Sequence, residues 1–432
     1  MTTTTSPGHS PAATPTSVTA RVEARVAELA PRLAAFSSDL YAHPELGYRE
    51  FRSVEAFASE LAHAGVEIER GTGGIPTAFA ARAGTRESGP QVVITAEYDA
   101  LPGVGHGCGH NVIAASSLGA FLALAPLFEG PEALPGGVTL LGTPAEEGGG
   151  GKELLIQAGA FDGFDASVMV HPGGVDVAAG PSNAKRQVVA TFRGRTAHAA
   201  ANPHLGRNAL DAAVTAYQSI AQSRQHILPT DRVHGVFLEA GTRPNIVPER
   251  AVLEYFLRSR SVESLLALSD KVEAAFRGAA IAAGVEVDIA WDGEPVYLPQ
   301  RINATLAERF VRHSAPRREV LAVQEDTGAG LGSSDVGNVS HLLPTIQPSV
   351  AIGDPDIPGH SRERADSTQT PDGHRAIVDS SIALALTAAD VLLDEDLREA
   401  AWAEFRAAGE AIRVGDLVPL APWPTFPTPP AG

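Results

Sequence analysis

The sequence predicts an α/β protein: a mostly parallel, covered sheet into which a ferredoxin-like α+β domain is inserted. With 432 residues, the chain exceeds what one hydrophobic core usually organises. Between residues 77 and 170 short apolar strands alternate with helical stretches, the pattern of parallel strands joined by helical crossovers. From residue 187 the order changes to strand, helix, strand, strand, helix, strand, and it reverts after residue 298. The expected limits are 18–186 and 299–414 for the main domain, 187–298 for the insertion, 1–17 for a disordered lead and 415–432 for a proline-rich tail.

Residues 18–65 carry apolar positions at helical spacing in two stretches separated by the turn HPELGY. Strands are expected at 77–81, 92–96, 138–142 and 167–170, and helices at 111–128 and 152–158. The insertion reads QVVATFRG, GRNALDAAVTAYQSIAQS, HGVFLEAG, RAVLEYFLRS, VESLLALSDKVEAAFRGAAIAAG and VEVDIAW, which is the βαββαβ order of a ferredoxin-like unit. After it come a helix at 304–313, the glycine-rich TGAGLGSSDVGN, a strand SVAIG and a last helix at 374–393. The tail VPLAPWPTFPTPPAG is too rich in proline for regular packing.

A net charge of −18 has the wrong sign for binding nucleic acid or an anionic membrane through the overall field, so small-molecule chemistry is favoured. No run of about 18 uninterrupted apolar residues suggests a membrane span. Residues 1–17 have neither the basic start nor the apolar centre of a secretory signal. Cys108 is the only cysteine, which precludes an internal disulfide and makes a cytoplasmic location the simplest expectation.

Four segments carry chemistry. ITAEYDALPGVGHGCGHN ends an apolar strand at Asp99 and presents His106, Cys108 and His110 on a glycine-rich loop. In an extended loop, residues two apart face the same side, so Cys108 and His110 can share a cavity, and thiolate and imidazole both suit zinc-like ions. In VTLLGTPAEEGGGG a strand runs into Glu146 and Glu147; adjacent carboxylates diverge, so one can hold a metal while the other reaches a water. His171 in SVMVHP and His360 in GDPDIPGHS also follow apolar strands, where ligands gather in parallel sheets. Taken singly, each has a structural reading: a buried thiol, a solvated acidic pair, a surface histidine. Together Cys108, His110, Glu147, His171 and His360 are more ligands than one open ion site needs, and two ions sharing a ligand account for them, with Glu146 left as a base.

The series HPELGY, EYDALPGVGHGCGHN, PAEEGGGG, HP, GRTAHAAANPHLGRNALDA, PNIVP and a late GH resembles the bimetallic amidohydrolase family of aminoacylases, hippurate hydrolases, auxin-conjugate hydrolases, p-aminobenzoyl-glutamate hydrolase and related dipeptidases. The likeness spans residues 40–385. It implies hydrolysis of an amide bond in a small N-acyl amino acid or dipeptide-like substrate by water activated between two divalent ions, zinc first because of the thiolate, with manganese or cobalt also accepted. By the resemblance Cys108 bridges the ions, His110, Glu147, His171 and His360 complete them, Glu146 is the general base and Asp99 orients a ligand. The insertion becomes a lid that also makes a homodimer. His198 reaches a partner's site to stabilise the oxyanion, and Asn245 and Arg258 contact substrate. Asn111 stands where many relatives have aspartate, while Glu97-Tyr98-Asp99 and SSDVGNVSH lie closer to the p-aminobenzoyl-glutamate and dipeptidase branch. Ser334 and Asp335 of that segment have two equal readings, as lining of the substrate pocket or as part of a glycine-rich connection. Two other readings stand beside this one: a cysteine hydrolase with Cys108 as nucleophile and His110 or His171 as base, and a non-catalytic relative that only binds an acyl amino acid.

Overall fold

The computed structural model of the chain describes residues 15–87, 89–325, 332–420 and 423–428. Helix α1 (Thr16–Ala42) opens it and α2 (Phe51–His63) follows the HPELGY turn. The helix thus starts inside the segment expected to be a disordered lead, whose residues 1–14 lie outside the described ones. Val18, Val22, Val26, Leu29, Leu33 and Leu40 recur at helical spacing and are all buried, which fixes the inward face of α1.

The chain continues with β1 (Ile68–Arg70), β2 (Phe79–Gly84), β3 (Gln91–Ala96), α3 (His110–Leu124), β4 (Gly137–Gly142), α4 (Gly151–Gln157), β5 (Ala166–Val168) and β6 (His171–Gly173). The insertion supplies β7 (Ala184–Arg193), α5 (Ala209–Ser223), β8 (Arg232–Ala240), β9 (Arg250–Ser259), α6 (Val262–Ala283) and β10 (Glu286–Trp291). Then come α7 (Ala304–Ser314), α8 (Val336–Ser340), β11 (Thr345–Ile346), β12 (Ser349–Ala351), α9 (Arg362–Ser367), α10 (Pro371–Leu393), α11 (Glu395–Ala407) and α12 (Val414–Leu417). The first five residues of TGAGLGSSDVGN lie outside the described ones.

The main sheet has the order β1-β2-β4-β3-β5-β11. Strands β4, β3, β5 and β11 are parallel, and the parallel pair β6–β12 prolongs β5 and β11. The strand expected at 77–81 is real but antiparallel, and with β1 it forms an edge that the apolar runs did not distinguish from the parallel centre. Alternation explains the covering: Val92, Ile94 and Ala96 of β3 enter the core shared with α1, α3 and α10, whereas Val93 faces a second core with Leu154, Leu155 and Val339. Every residue of α3 is buried, so it carries no amphipathic stripe. The stretch His110–Phe128 and helix α10 are long and apolar enough to cross a membrane, but 83% and 89% of their most apolar parts are buried inside the protein, as in core helices.

The second sheet, β10-β7-β9-β8, is antiparallel throughout and has the predicted ferredoxin-like order. Val188, Ala190, Phe192, Leu253, Tyr255 and Leu257 pack with α5 and α6 in a core of their own. The alternate residues Lys185, Phe256 and Arg258 face the other way, into the cavity described below. The tail forms no regular structure after α12 in its described residues, yet it is not loose: Val418 joins the core of the insertion, Phe426 packs on Tyr48 at 5.1 Å, and the Trp423 indole donates to Gln157 at 2.9 Å.

Candidate active site

Asp99 follows β3, Glu146 and Glu147 follow β4, and His171 follows β5, so three adjacent parallel strands deliver these side chains at their carboxyl ends. The loop bearing Cys108 is a turn and not the extended segment expected from its spacing. Gly109 has a left-handed backbone (φ 79°) and caps α3, so that His110 is the first helical residue. A Cβ at Gly109 would also lie 2.4 Å from Pro172, which requires glycine there twice over. The turn brings Cys108 and His110 together all the same. The backbone N–H of His360 donates to the Gly107 carbonyl at 3.1 Å and ties the last ligand loop to the first.

The ligand atoms of Cys108, His110 and His171 lie within 4.8 Å of one another, and so do those of Cys108, Glu147 and His360. Cys108 belongs to both groups. Its Sγ is 3.4 Å from His171 Nε2, while His360 Nε2 is 3.4 Å from Glu147 Oε1. A third group joins Glu97, His110 and Glu146; the neighbouring glutamates both come near His110 Nε2, at 3.8 Å for Glu146 and 4.0 Å for Glu147, and only Glu147 also reaches His360. His110 Nε2, Glu147 Oε1 and Glu97 Oε2 are buried and find no hydrogen-bond partner. Buried polar atoms are rarely left so, and three of them converging on a thiol and two more imidazoles fit divalent cations in number and in donor chemistry.

Around these atoms lies a set of fixed contacts. Asp99 Oδ1 accepts from His110 Nδ1 at 3.0 Å and its Oδ2 accepts the Glu147 N–H at 2.8 Å, so one carboxylate holds both candidate ligands in place. His171 Nδ1 donates to the Pro172 carbonyl at 2.9 Å, which leaves Nε2 for the centre. Replacing Asp99 by Asn is expected to weaken metal affinity about ten- to a hundredfold; competition with a chelating dye reads this directly, and unchanged affinity would remove Asp99 from the orienting role.

Residues that the sequence reading did not assign hold the frame. Lys152, fully buried, donates to Glu97 Oε1 and Asp335 Oδ1, both at 2.6 Å. Asp335 therefore lies behind the centre and not in the pocket lining, whereas Ser334 does line the cavity. Glu50 accepts the N–H of Ala145 at 2.9 Å and the Tyr297 hydroxyl donates to the Glu146 carbonyl at 2.5 Å, which secures the left-handed turn at Ala145 (φ 59°) before the glutamate pair. Polar residues at strand ends were the local signal for the acidic members of this frame; nothing around Lys152 in the sequence marked it as buried.

Electrostatics separate the roles. Burial, together with the charges of Glu97, Glu147 and Asp335, raises the Glu146 carboxyl well above its ordinary pKa. Burial and the Glu147 charge push the Cys108 thiol up. Burial also opposes the charged form of His110, but Asp99, Cys108 and Glu97 more than offset it and hold that ring's pKa above its usual value. His171 is lowered to about 4, chiefly by burial.

The centre opens into a cavity of about 740 Å³. Cys108, Glu146, Glu147, His171 and His360 form one wall, and Lys185, Phe256, Arg258 and Glu294 from the insertion form another. A wider groove of about 930 Å³ beside β1 and β2 contains none of the ligands. Arg258 is thus at the cavity, its Nη1 donating to Ser333 at 2.8 Å. His198 and Asn245 are not. They are exposed and adjacent on two loops of the insertion, where the Ala199 N–H donates to the Asn245 carbonyl at 3.1 Å and His198 Nδ1 accepts from Ala200 and Ala201.

The sequence pattern of peptidase family M20/M25/M40 matches residues 93–379, more than half of the chain. The chain belongs to this family. The Xaa-Arg dipeptidase of Mus musculus is 38% identical over 93% of this chain and 95% of its own length. A p-aminobenzoyl-glutamate hydrolase polypeptide of Escherichia coli is 28% identical over 85% of this chain and 90% of its own. Among solved structures, an aminobenzoyl-glutamate utilization protein from Klebsiella pneumoniae superposes with a TM-score of 0.65 at 21% identity over 85% of this chain and 98% of its own. The Bacillus subtilis YXEP protein, described as a dinuclear metal binding peptidase, does so with 0.60 at 21% identity over 85% and 99%. The resemblance seen in the motifs is therefore to the right family and branch, and this M20/M25/M40 member is a metallo-amidohydrolase of the dipeptidase type, acting on amide bonds of small substrates.

Proposed function

We propose that the chain cleaves dipeptides or N-acyl amino acids at a centre of two divalent ions that share Cys108. The observation that carries this reading is the pair of ligand groups, Cys108–His110–His171 and Cys108–Glu147–His360, meeting at one sulfur. Two ions held by these five residues would supply Lewis acidity to the amide carbonyl and would lower the pKa of water toward neutrality. Glu146, which neither group claims and which lines the cavity beside Glu147, takes the proton of the attacking water and returns it to the leaving amine. Arg258 receives the substrate carboxylate from the lid side. The thiolate favours zinc, and manganese or cobalt satisfy the remaining ligands.

Residues 187–298 act as the lid and as the dimer contact. Support comes from Val236, Phe237 and Leu238, exposed at 56%, 37% and 57% on β8, the last strand at one edge of its sheet. A dimer would give the exposed His198 and Asn245 a site to serve in the partner, and light scattering tests it. The lone free thiol, Cys108, supports a reducing, cytoplasmic setting.

The contact of Cys108 with His171 favours a cysteine hydrolase as the second reading, but burial raises the thiol and lowers its neighbouring base, the reverse of what a thiolate nucleophile requires. Complete removal of metal is expected to abolish amine release from dipeptides, N-acyl amino acids and p-aminobenzoyl-glutamate, and re-addition to restore it. Activity that survives chelation transfers the chemistry to Cys108. Because the ions must displace protons from Cys108 and His110, both with raised pKa values, metal affinity should climb with rising pH and loading should release protons, as calorimetry in buffers of different ionisation heat would record.

A further inference from the structure

Which substrate side chain the lid wall accepts is decided by how its charges are already paired. Lys185 and Arg258 face each other across the β7–β9 ladder, and both line the cavity with Glu294. Lys185 is fully engaged: its Nζ donates to Glu294 Oε2 at 2.9 Å and lies over the rings of Tyr297 and Phe256, 4.2 and 4.8 Å from their centroids, with only 6% of the side chain exposed. Glu294 is engaged on one side only. Its side chain is 25% exposed, and Oε1 has no hydrogen-bond donor among the described residues.

Oε1 is also close to the reacting groups. A Cβ on Gly148, the residue after Glu147, would come within 3.2 Å of it, so the missing side chain leaves room beside the carboxylate at the edge of the metal centre. The wall therefore combines a cation-lined patch at Arg258, suited to a substrate carboxylate, with a half-used carboxylate that lacks a second cation. Burial, together with the charge of Glu254, raises the pKa of Glu294 in spite of Lys185, so one cation does not meet its demand. A net charge of −18 draws cationic substrates toward the protein as a whole.

We propose that Glu294 is the subsite for a cationic substrate side chain, an ammonium or guanidinium carried by the residue whose carboxylate meets Arg258, with Lys185 holding the other carboxylate oxygen in place. This rests on the reading of the cavity as the substrate site. No bond changes at the subsite; it contributes through binding, and its effect belongs in KM.

The test compares kcat/KM of the metal-loaded protein on alanyl-arginine, alanyl-citrulline, a nearly isosteric neutral dipeptide, and alanyl-glutamate. The wild type should favour arginine over citrulline by at least tenfold, mostly through KM, and disfavour glutamate. In Glu294→Gln the arginine-to-citrulline ratio should fall close to one, in Glu294→Asp it should partly persist, and in Lys185→Met it should persist or grow. A ratio cancels the concentration of active enzyme, so incomplete folding of a variant does not blur it. A wild-type ratio near one, a ratio unchanged by Glu294→Gln, or a preference for glutamate that Lys185→Met removes would overturn the subsite. If no dipeptide is cleaved, the functional reading fails separately. Calorimetry of free arginine and citrulline with wild type and Glu294→Gln then decides the subsite, loss of the arginine preference supporting it and equal binding overturning it.

Discussion

Replacing Glu146 by glutamine is expected to lower kcat by about 10²–10⁴, the usual worth of a positioned general base, while metal content and substrate KM stay close to those of the parent. Glutamine keeps the volume and the buried setting of the side chain, 6% exposed, and removes only the capacity to take a proton. It also relieves the repulsion with Glu97, Glu147 and Asp335 that raises the Glu146 pKa, so the folded protein should not lose stability. A variant that retains both ions and turns over normally would place the base elsewhere. Replacing Glu147 should behave differently, since it removes a ligand from the Cys108–Glu147–His360 group and lowers metal content along with rate.

The largest effect on stability is expected at Lys152. Its ammonium is buried between Glu97 and Asp335, and all three side chains have no exposure to solvent. Breaking such a set by Lys152→Met leaves two carboxylates uncompensated in the interior, a loss of about 3–5 kcal/mol. Urea unfolding of the metal-free protein would show it as a lower midpoint. Restoring neutrality with Lys152→Met, Glu97→Gln and Asp335→Asn together should recover much of the loss, because the cost lies in the unpaired charge more than in the missing contacts. A midpoint that moves by less than the equivalent of about 1 kcal/mol in the single variant would mean that water or a shifted proton neutralises the pair. The same triad also limits Glu97. With Oε1 held by Lys152, Oε2 is left 3.5 Å from His110 Nε2, facing the metal centre.

By itself the sequence determined the alternation of strands and helices, the βαββαβ insertion and the placing of thiol, imidazole and carboxylate side chains in the loops that follow strands. Each of these depends on periodicity and turn chemistry within a few residues, which a linear pattern records. It also placed Arg258 on a strand whose alternate residues face the cavity. Tertiary structure alone decided how the ligands divide. Cys108 falls in both groups of candidate ligands because Gly109 turns left-handed against Pro172 and because the loops of His171 and His360 both approach that turn, a matter of distances between segments far apart in the chain. It likewise decided that Lys152 and Asp335 are structural partners behind the centre. A lysine after four glycines reads as surface until its burial is known, and burial belongs to the packed whole. His198 and Asn245 are the converse case: their motifs marked them as functional, but one chain folds them onto the exposed face of the insertion, away from its own ligands.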